Sequence, residues 1–170
     1  MSEEEIDVVD HDDRVVGTST VRECLERALL HRAVATLVLR RGGRFVLQQR
    51  SRGDRWHPGL WTLSSTGHVK AGETYASAAK RELEEELGIR GTLHKVGKYL
   101  LPPISDGGLT EREWVTLFTC RSNSRLTIDP VELEGAEDFD RTRAAEMIDV
   151  GLLTPDAVFL LGECFQRLPS

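Results

Sequence analysis

The stretch from Gly67 to Ile89, GHVKAGETYASAAKRELEEELGI, constrains this chain more than any other. Thr74 is suited to cap a helix N-terminus, and Gly88 to end one in the left-handed conformation, so the pattern predicts a helix over 74–87. Ala76, Ala79, Leu83 and Leu87 recur at three- and four-residue steps and form its expected buried stripe. Glu82 and Glu86 stand one four-residue step apart, about 40° in rotation, and Glu85 lies about 60° to the other side of Glu82. Three carboxylates therefore gather on one lateral face. Like charges at this spacing cost an isolated helix about 0.2–0.5 kcal/mol per pair, and the negative end of the helix dipole adds to the cost. A solvated acidic face is one resolution; binding a hard divalent cation such as Mg²⁺, which favours oxygen ligands, is the other. Arg81, four residues before Glu85, is placed to hold that carboxylate.

The rest of the chain supplies strands around this helix. Ile6–Val9 and Val15–Thr18 flank the polar turn at 10–13 and read as a hairpin. A helix is expected over Thr20–Leu30, with Val21, Cys24, Leu25, Ala28 and Leu29 at helical spacing. Ala33–Leu39 and Phe45–Gln49 flank Arg-Arg-Gly-Gly-Arg as a second hairpin, whose first strand is apolar enough to be central. Ser51–Pro58 is a polar loop and Trp61–Val69 is extended; strands follow near Leu93–Leu100 and Trp114–Cys120, separated by a loop at 102–108. An acidic linker at 129–140 leads to helices near Thr142–Ile148 and Pro155–Leu168. The order implies an α/β sandwich around a mixed sheet, with a hairpin-and-helix extension over 1–30, a core over 31–124 and a C-terminal helical segment over 125–170.

Composition narrows the class. With 39% hydrophobic and 29% charged residues the chain is globular, and at 170 residues it can build a core without disulfide or metal. A net charge of −6 argues against a stable nucleic-acid partner. Three widely spaced cysteines form no CxxC pair, the N-terminus has no basic-then-apolar leader, and no apolar run approaches the ~20 residues that span a bilayer. A cytoplasmic protein without a membrane partner is expected. The oligomeric state is left open.

Gly67, Glu73, Arg81-Glu82-Leu83, Glu85-Glu86 and Gly88-Ile89 together resemble the signature of the Nudix hydrolase family at every defined position. The resemblance implies a Nudix-type α/β/α sandwich that binds Mg²⁺ or Mn²⁺ and activates water against a diphosphate bond. It implies metal binding and catalysis by Glu82, Glu85 and Glu86, with Gly67 shaping the loop and counted among the metal-site positions, and with Arg81 and Glu73 as orienting partners. His31-Arg32-Ala33, Gln49-Arg50-Ser51, Pro58 to Thr62, Gly67-His68 and Glu111-Arg112-Glu113 are further similar to the isopentenyl-diphosphate isomerase-like branch. That likeness implies diphosphate contacts from Arg50, Arg55 and His68, and a catalytic or metal-ligating role for Glu113. His31 and His68 read either as remnants of the isomerase metal site with Glu111 and Glu113 or as structural residues. Isomerases of this branch carry a cysteine directly before the Gly-His pair, where this chain has Thr66, and a metal-binding histidine where it has Cys24. Thr66 supplies no thiol proton donor, and Cys24 puts a soft ligand in place of a harder one. The expected activity is hydrolysis of a small diphosphate substrate, a nucleoside di- or triphosphate. The alternatives are isomerisation of isopentenyl diphosphate, a non-catalytic nucleotide-binding regulator and, as a subclass, an RNA-end pyrophosphohydrolase. Trp56, Trp61 and Trp114 are all candidates to stack on a base, with core packing the favoured reading for Trp61 and Trp114.

Overall fold

A computed structural model describes residues 3–168; Met1, Ser2, Pro169 and Ser170, at the outer ends of the expected terminal segments, lie outside the described residues. Strand β3 (Leu30–Leu39) organises the molecule. Along its whole length it runs parallel to β9 (Leu109–Arg121). Its other edge is shared in turn by β1 (Glu5–Val9), β6 (Ser65–His68) and β4 (Phe45–Arg50). Strand β2 (Val15–Thr20) extends the sheet beyond β1, β5 (Trp61–Leu63) pairs with β4, and β7 (Leu93–Leu100) pairs with β9.

Alternation along β3 explains its continuous apolar sequence. Val34 and Val38 face α2 (Tyr75–Leu87), packing with Ala78, Ala79, Leu83 and Leu87. Ala33, Ala35 and Leu37 face the other layer, which contains Ala144 of α3 (Arg141–Asp149) and Ala157, Leu160 and Leu161 of α4 (Pro155–Arg167). A strand buried on both faces must be apolar at every step. The result is the expected α/β sandwich of a mixed sheet between helices.

Five local expectations are corrected. The first helix, α1, spans only Val21–Glu26, because Leu30 and His31 are taken by β3 and pair with Arg112 and Glu113. The β3–β4 hairpin is paired only at Leu39 and Phe45. Beyond that point Ser64 stands between the strands, accepting from the Val38 N–H at 2.7 Å and donating to the Val46 carbonyl at 2.5 Å. The loop at 102–108 contains strand β8 (Ile104–Asp106), paired with the start of β9. The acidic linker at 129–140 is largely strand β10 (Leu133–Phe139), an edge strand antiparallel to β4 that ties the segment after residue 125 to the same sheet. On α2, Ala76 is exposed and Ala78 takes its place in the buried stripe.

The N-terminal hairpin is fastened near the start of α2. Asp13, at the hairpin turn, accepts from Arg32 Nε at 2.6 Å and from the Tyr75 hydroxyl at 3.1 Å, and also pairs with Lys98. Burial works against its charge, but these partners hold its carboxyl below the usual range.

Candidate active site

Helix α2 begins with a capping box between Thr74 and Ser77 and ends at Gly88 in the left-handed conformation (φ 65°). The row facing the sheet runs Tyr75, Ala78 and Ala79, Glu82 and Leu83, then Glu86 and Leu87. Two glutamates thus occupy steps of an otherwise apolar stripe. Glu86 is only 4% exposed, and its Oε2 is buried without a hydrogen-bond partner. Burial and the neighbouring Glu82 charge push its pKa well above the ordinary value, although Gln48 and the Thr66 backbone pull the other way. Burial likewise lifts Glu82 to about 7 against the pull of Arg81. Glu85 points outward, with its side chain 57% exposed and 3.5 Å from Arg81 Nη1. The three carboxylates are graded from core to solvent rather than sharing one face.

Arg81 binds this region together. It donates to Glu73 through Nε at 3.1 Å and Nη2 at 2.9 Å, to Glu82 Oε1 through Nη1 at 2.5 Å, and to the His68 carbonyl through Nη2 at 3.1 Å. Glu73 also accepts from the Lys70 backbone N–H at 3.0 Å, and these donors hold it ionised despite its burial. Gly67 lies on β6 directly against the Glu82 carboxylate, and a Cβ there would fall 2.2 Å from Glu82 Cδ.

Glu82 and Glu86 line one side of a cavity of about 570 Å³, whose wall also includes Arg50, Trp56, His68 and Glu113. The parallel register of β3 and β9 sets His31 beside Glu113, and β6 brings His68 alongside. Both imidazole Nε2 atoms approach Glu113 Oε1, at 3.3 Å from His31 and 3.5 Å from His68. Burial opposes charge on Glu113, yet the two histidines hold its pKa low, at about 2. Glu111, near His68 at 3.9 Å, is driven well above its ordinary value by burial and the Glu113 charge. His31 Nδ1 lies 2.8 Å from the Leu29 carbonyl and donates there, while its Nε2 is buried without a hydrogen bond. The donor atoms of His31, His68 and Glu113 lie within 4.8 Å of one another, a set that suits a first-row transition metal. Cys24 is not in this group; it packs with Ile6, Val21 and Leu25, and burial raises its thiol to about 11.

Arg50 reaches the cavity but is already engaged, donating to Asp54 at 2.5 Å and to the Trp56 carbonyl at 2.8 Å. Arg55 is exposed and is not part of the cavity wall. Trp61 packs edge-on against Phe139 in the core, as expected. Trp114 is half-buried beneath the Lys98 ammonium, which departs from core packing. Sequence reasoning missed Thr154 and Asp156, which enter the cavity wall from the start of α4; a Thr-Pro-Asp run reads locally only as a helix start.

Helix α2 thus delivers two carboxylates, Glu82 and Glu86, to a cleft in a mixed α/β sandwich. The chain belongs to the Nudix family: a model of the NUDIX domain matches residues 29–158. It is 35% identical over 129 residues to an uncharacterized Nudix hydrolase of Pseudomonas aeruginosa, covering 75% of this chain and 73% of that one. It is also 35% identical over 111 residues to an isopentenyl-diphosphate Delta-isomerase of Serratia proteamaculans, covering 65% of this chain and 62% of the isomerase. A crystal structure of a Deinococcus radiodurans protein shares the fold with a TM-score of 0.81 at 22% identity, over 95% of this chain and 99% of the other. Among the described residues no helix is long and apolar enough to cross a membrane.

Proposed function

We propose that the protein hydrolyses the diphosphate bond of a nucleoside di- or triphosphate, using Mg²⁺ or Mn²⁺ held by Glu82, Glu85 and Glu86. The observation that carries this reading is Glu86, a carboxylate in the core stripe of α2 whose Oε2 is buried, unpartnered and beside the cavity. A purely structural residue there would be apolar or paired, so the donor set fits a hard cation. When bound, the cation supplies charge neutralisation at the phosphate oxygens and acidifies a water molecule. The chain's residues do the rest. Arg81, fixed by Glu73, holds Glu82 in place, and Glu86 accepts the proton of the attacking water. Glu113 is gripped by two imidazoles, so its role is to hold charge rather than to take a proton. Arg50 meets the diphosphate by exchanging Asp54 for phosphate oxygens, a bidentate task that suits a guanidinium. His68 closes the same side. Exposed Arg55 contributes only at the mouth.

The test is a panel of nucleotides, nucleotide sugars and dinucleotides, with free phosphate measured before and after phosphatase treatment. Turnover is expected with Mg²⁺ or Mn²⁺ and is expected to vanish after exhaustive chelation by EDTA. Undiminished turnover in EDTA overturns the proposal.

The His31–His68–Glu113 group favours a second reading, isomerisation of isopentenyl diphosphate. Thr66 opposes it, because an unactivated hydroxyl is a much weaker acid than a thiol and a poor proton donor to an alkene. Incubation in deuterated water is expected to leave the allylic protons of isopentenyl diphosphate unexchanged. Deuterium incorporation by the unmodified protein makes the isomerase reading primary.

A further inference from the structure

The loop between β6 and α2 carries Glu73, and the N-terminal hairpin grips it on both sides of that residue. Before Glu73, β1 meets residues 70–72: Ile6 bridges to Lys70, the Ala71 N–H donates to the Glu5 carbonyl at 3.0 Å, and the Gly72 N–H donates to Asp7 Oδ2 at 3.2 Å. Asp7 is 6% exposed, and its Oδ2 also lies 3.7 Å from Arg32 Nη1. After Glu73, Asp13 accepts from the hydroxyl of Tyr75, the first residue of α2. Burying a carboxylate is costly unless it is bonded, and the partner that Asp7 has across the interface is a loop amide. Glu73 sits between the two grips and accepts two hydrogen bonds from Arg81, which in turn donates to Glu82. Both aspartates precede residue 29, where the match to the family's domain begins.

We propose that the N-terminal hairpin is a clamp that fixes the cation site from outside α2, with Asp7 and Asp13 as positioning residues that act through Glu73 and Arg81. The inference rests on the cation-binding reading of Glu82 above and adds the part of the chain that sets its geometry. Asp7 holds the amide of the residue before Glu73, and Asp13 holds the side chain two residues after it. With both neighbours fixed, the Glu73 carboxylate stays on Arg81, and Arg81 stays on Glu82. Release of a grip lets Glu73 drift and loosens Glu82. Removing a group that orients a metal ligand commonly costs about 10–100-fold in metal affinity. The hairpin thus has a role at the site besides extending the sheet.

Calorimetric titration of the full chain with Mg²⁺ tests the clamp; Mg²⁺ is the probe because the His31–His68–Glu113 group suits a transition metal instead. Asp7→Ala is expected to weaken Mg²⁺ binding about tenfold. Asp7→Asn keeps an oxygen for the Gly72 N–H and is expected to stay within about threefold of the wild type. Glu73→Ala is expected to weaken binding at least as much as Asp7→Ala does. Adding Asp7→Ala to it should then change the affinity less than about twofold, because the route through Glu73 is already cut. Equal binding by the wild type and a folded Asp7→Ala variant overturns the clamp, as do losses that multiply in the double variant. A second measurement needs no substitution. Coupling is reciprocal, so saturating Mg²⁺ is expected to slow hydrogen exchange of the Ala71 and Gly72 amides in the wild-type protein about tenfold. Unchanged exchange overturns the clamp even where Asp7→Ala fails to fold. Wild-type protein that takes up no Mg²⁺ overturns the cation site and the clamp together, whereas uptake with a failed clamp spares the cation site, so the two failures are distinguishable.

Discussion

Glu86→Gln is expected to lower turnover about a hundredfold or more while leaving the protein folded and no less stable. Glutamine nearly matches the shape of glutamate in a position 4% exposed, between the apolar steps of α2. It removes the charge that burial and Glu82 disfavour. A carboxyl whose pKa is raised in the fold binds its proton more tightly there than in the unfolded chain, so it lowers stability as the pH rises above the ordinary value of 4.5. In EDTA, the variant should therefore melt higher than the wild type at neutral pH and at the same temperature near pH 4. Addition of Mg²⁺ should raise the melting temperature of the wild type more than that of the variant, because only the wild type keeps the full carboxylate set. A variant with near-normal turnover moves the cation site away from α2. One that unfolds makes Glu86 a structural residue.

The same glutamate shows what was legible in the sequence. Caps, apolar steps and Gly88 defined α2 almost to the residue, since each acts through local backbone geometry. Rotation per residue also brought Glu82, Glu85 and Glu86 near one another. What it did not supply was the position of the sheet, which passes on the Glu86 side and leaves Glu85, about 100° around the helix, in solvent. Strand β3 was legible for a related reason: being covered by α2 on one face and by α3 and α4 on the other, it is apolar throughout.

Strand β10 was hidden by its own surroundings. It pairs on one edge only and carries Glu134, Glu137 and Asp138, so an edge strand has the composition of a linker. The His31–Glu113 contact depends on register between strands about eighty residues apart, which no local pattern encodes. Asp156 is hidden twice over. Its local role as an acidic residue in the first turn of α4 is self-sufficient, and its approach to the cavity follows only from how that helix docks.

Gly67→Ala is expected to reduce turnover about a hundredfold, because displacing a catalytic group by an ångström has that scale of effect. The residue has no positive φ, so alanine can adopt its backbone conformation. The obstacle is a single side chain: the new Cβ would lie 2.2 Å from Glu82 Cδ and 2.3 Å from Glu82 Oε1. Glu82 can yield only by swinging out of its 2.5 Å contact with Arg81 and away from the cavity wall. Arg81 keeps its two bonds to Glu73, so the loop stays anchored and the stability cost is about 1–2 kcal/mol, ordinary for overpacking. Activity should therefore fall far more than stability. If displacement of Glu82 is the whole cause, Glu82→Ala removes the clash and the two changes are non-additive. The double variant is then expected to be no less active than Glu82→Ala alone and to recover the stability lost in Gly67→Ala. Losses of activity that multiply in the double variant, or a Gly67→Ala protein with normal turnover, overturn the claim that this glycine exists to make room for Glu82.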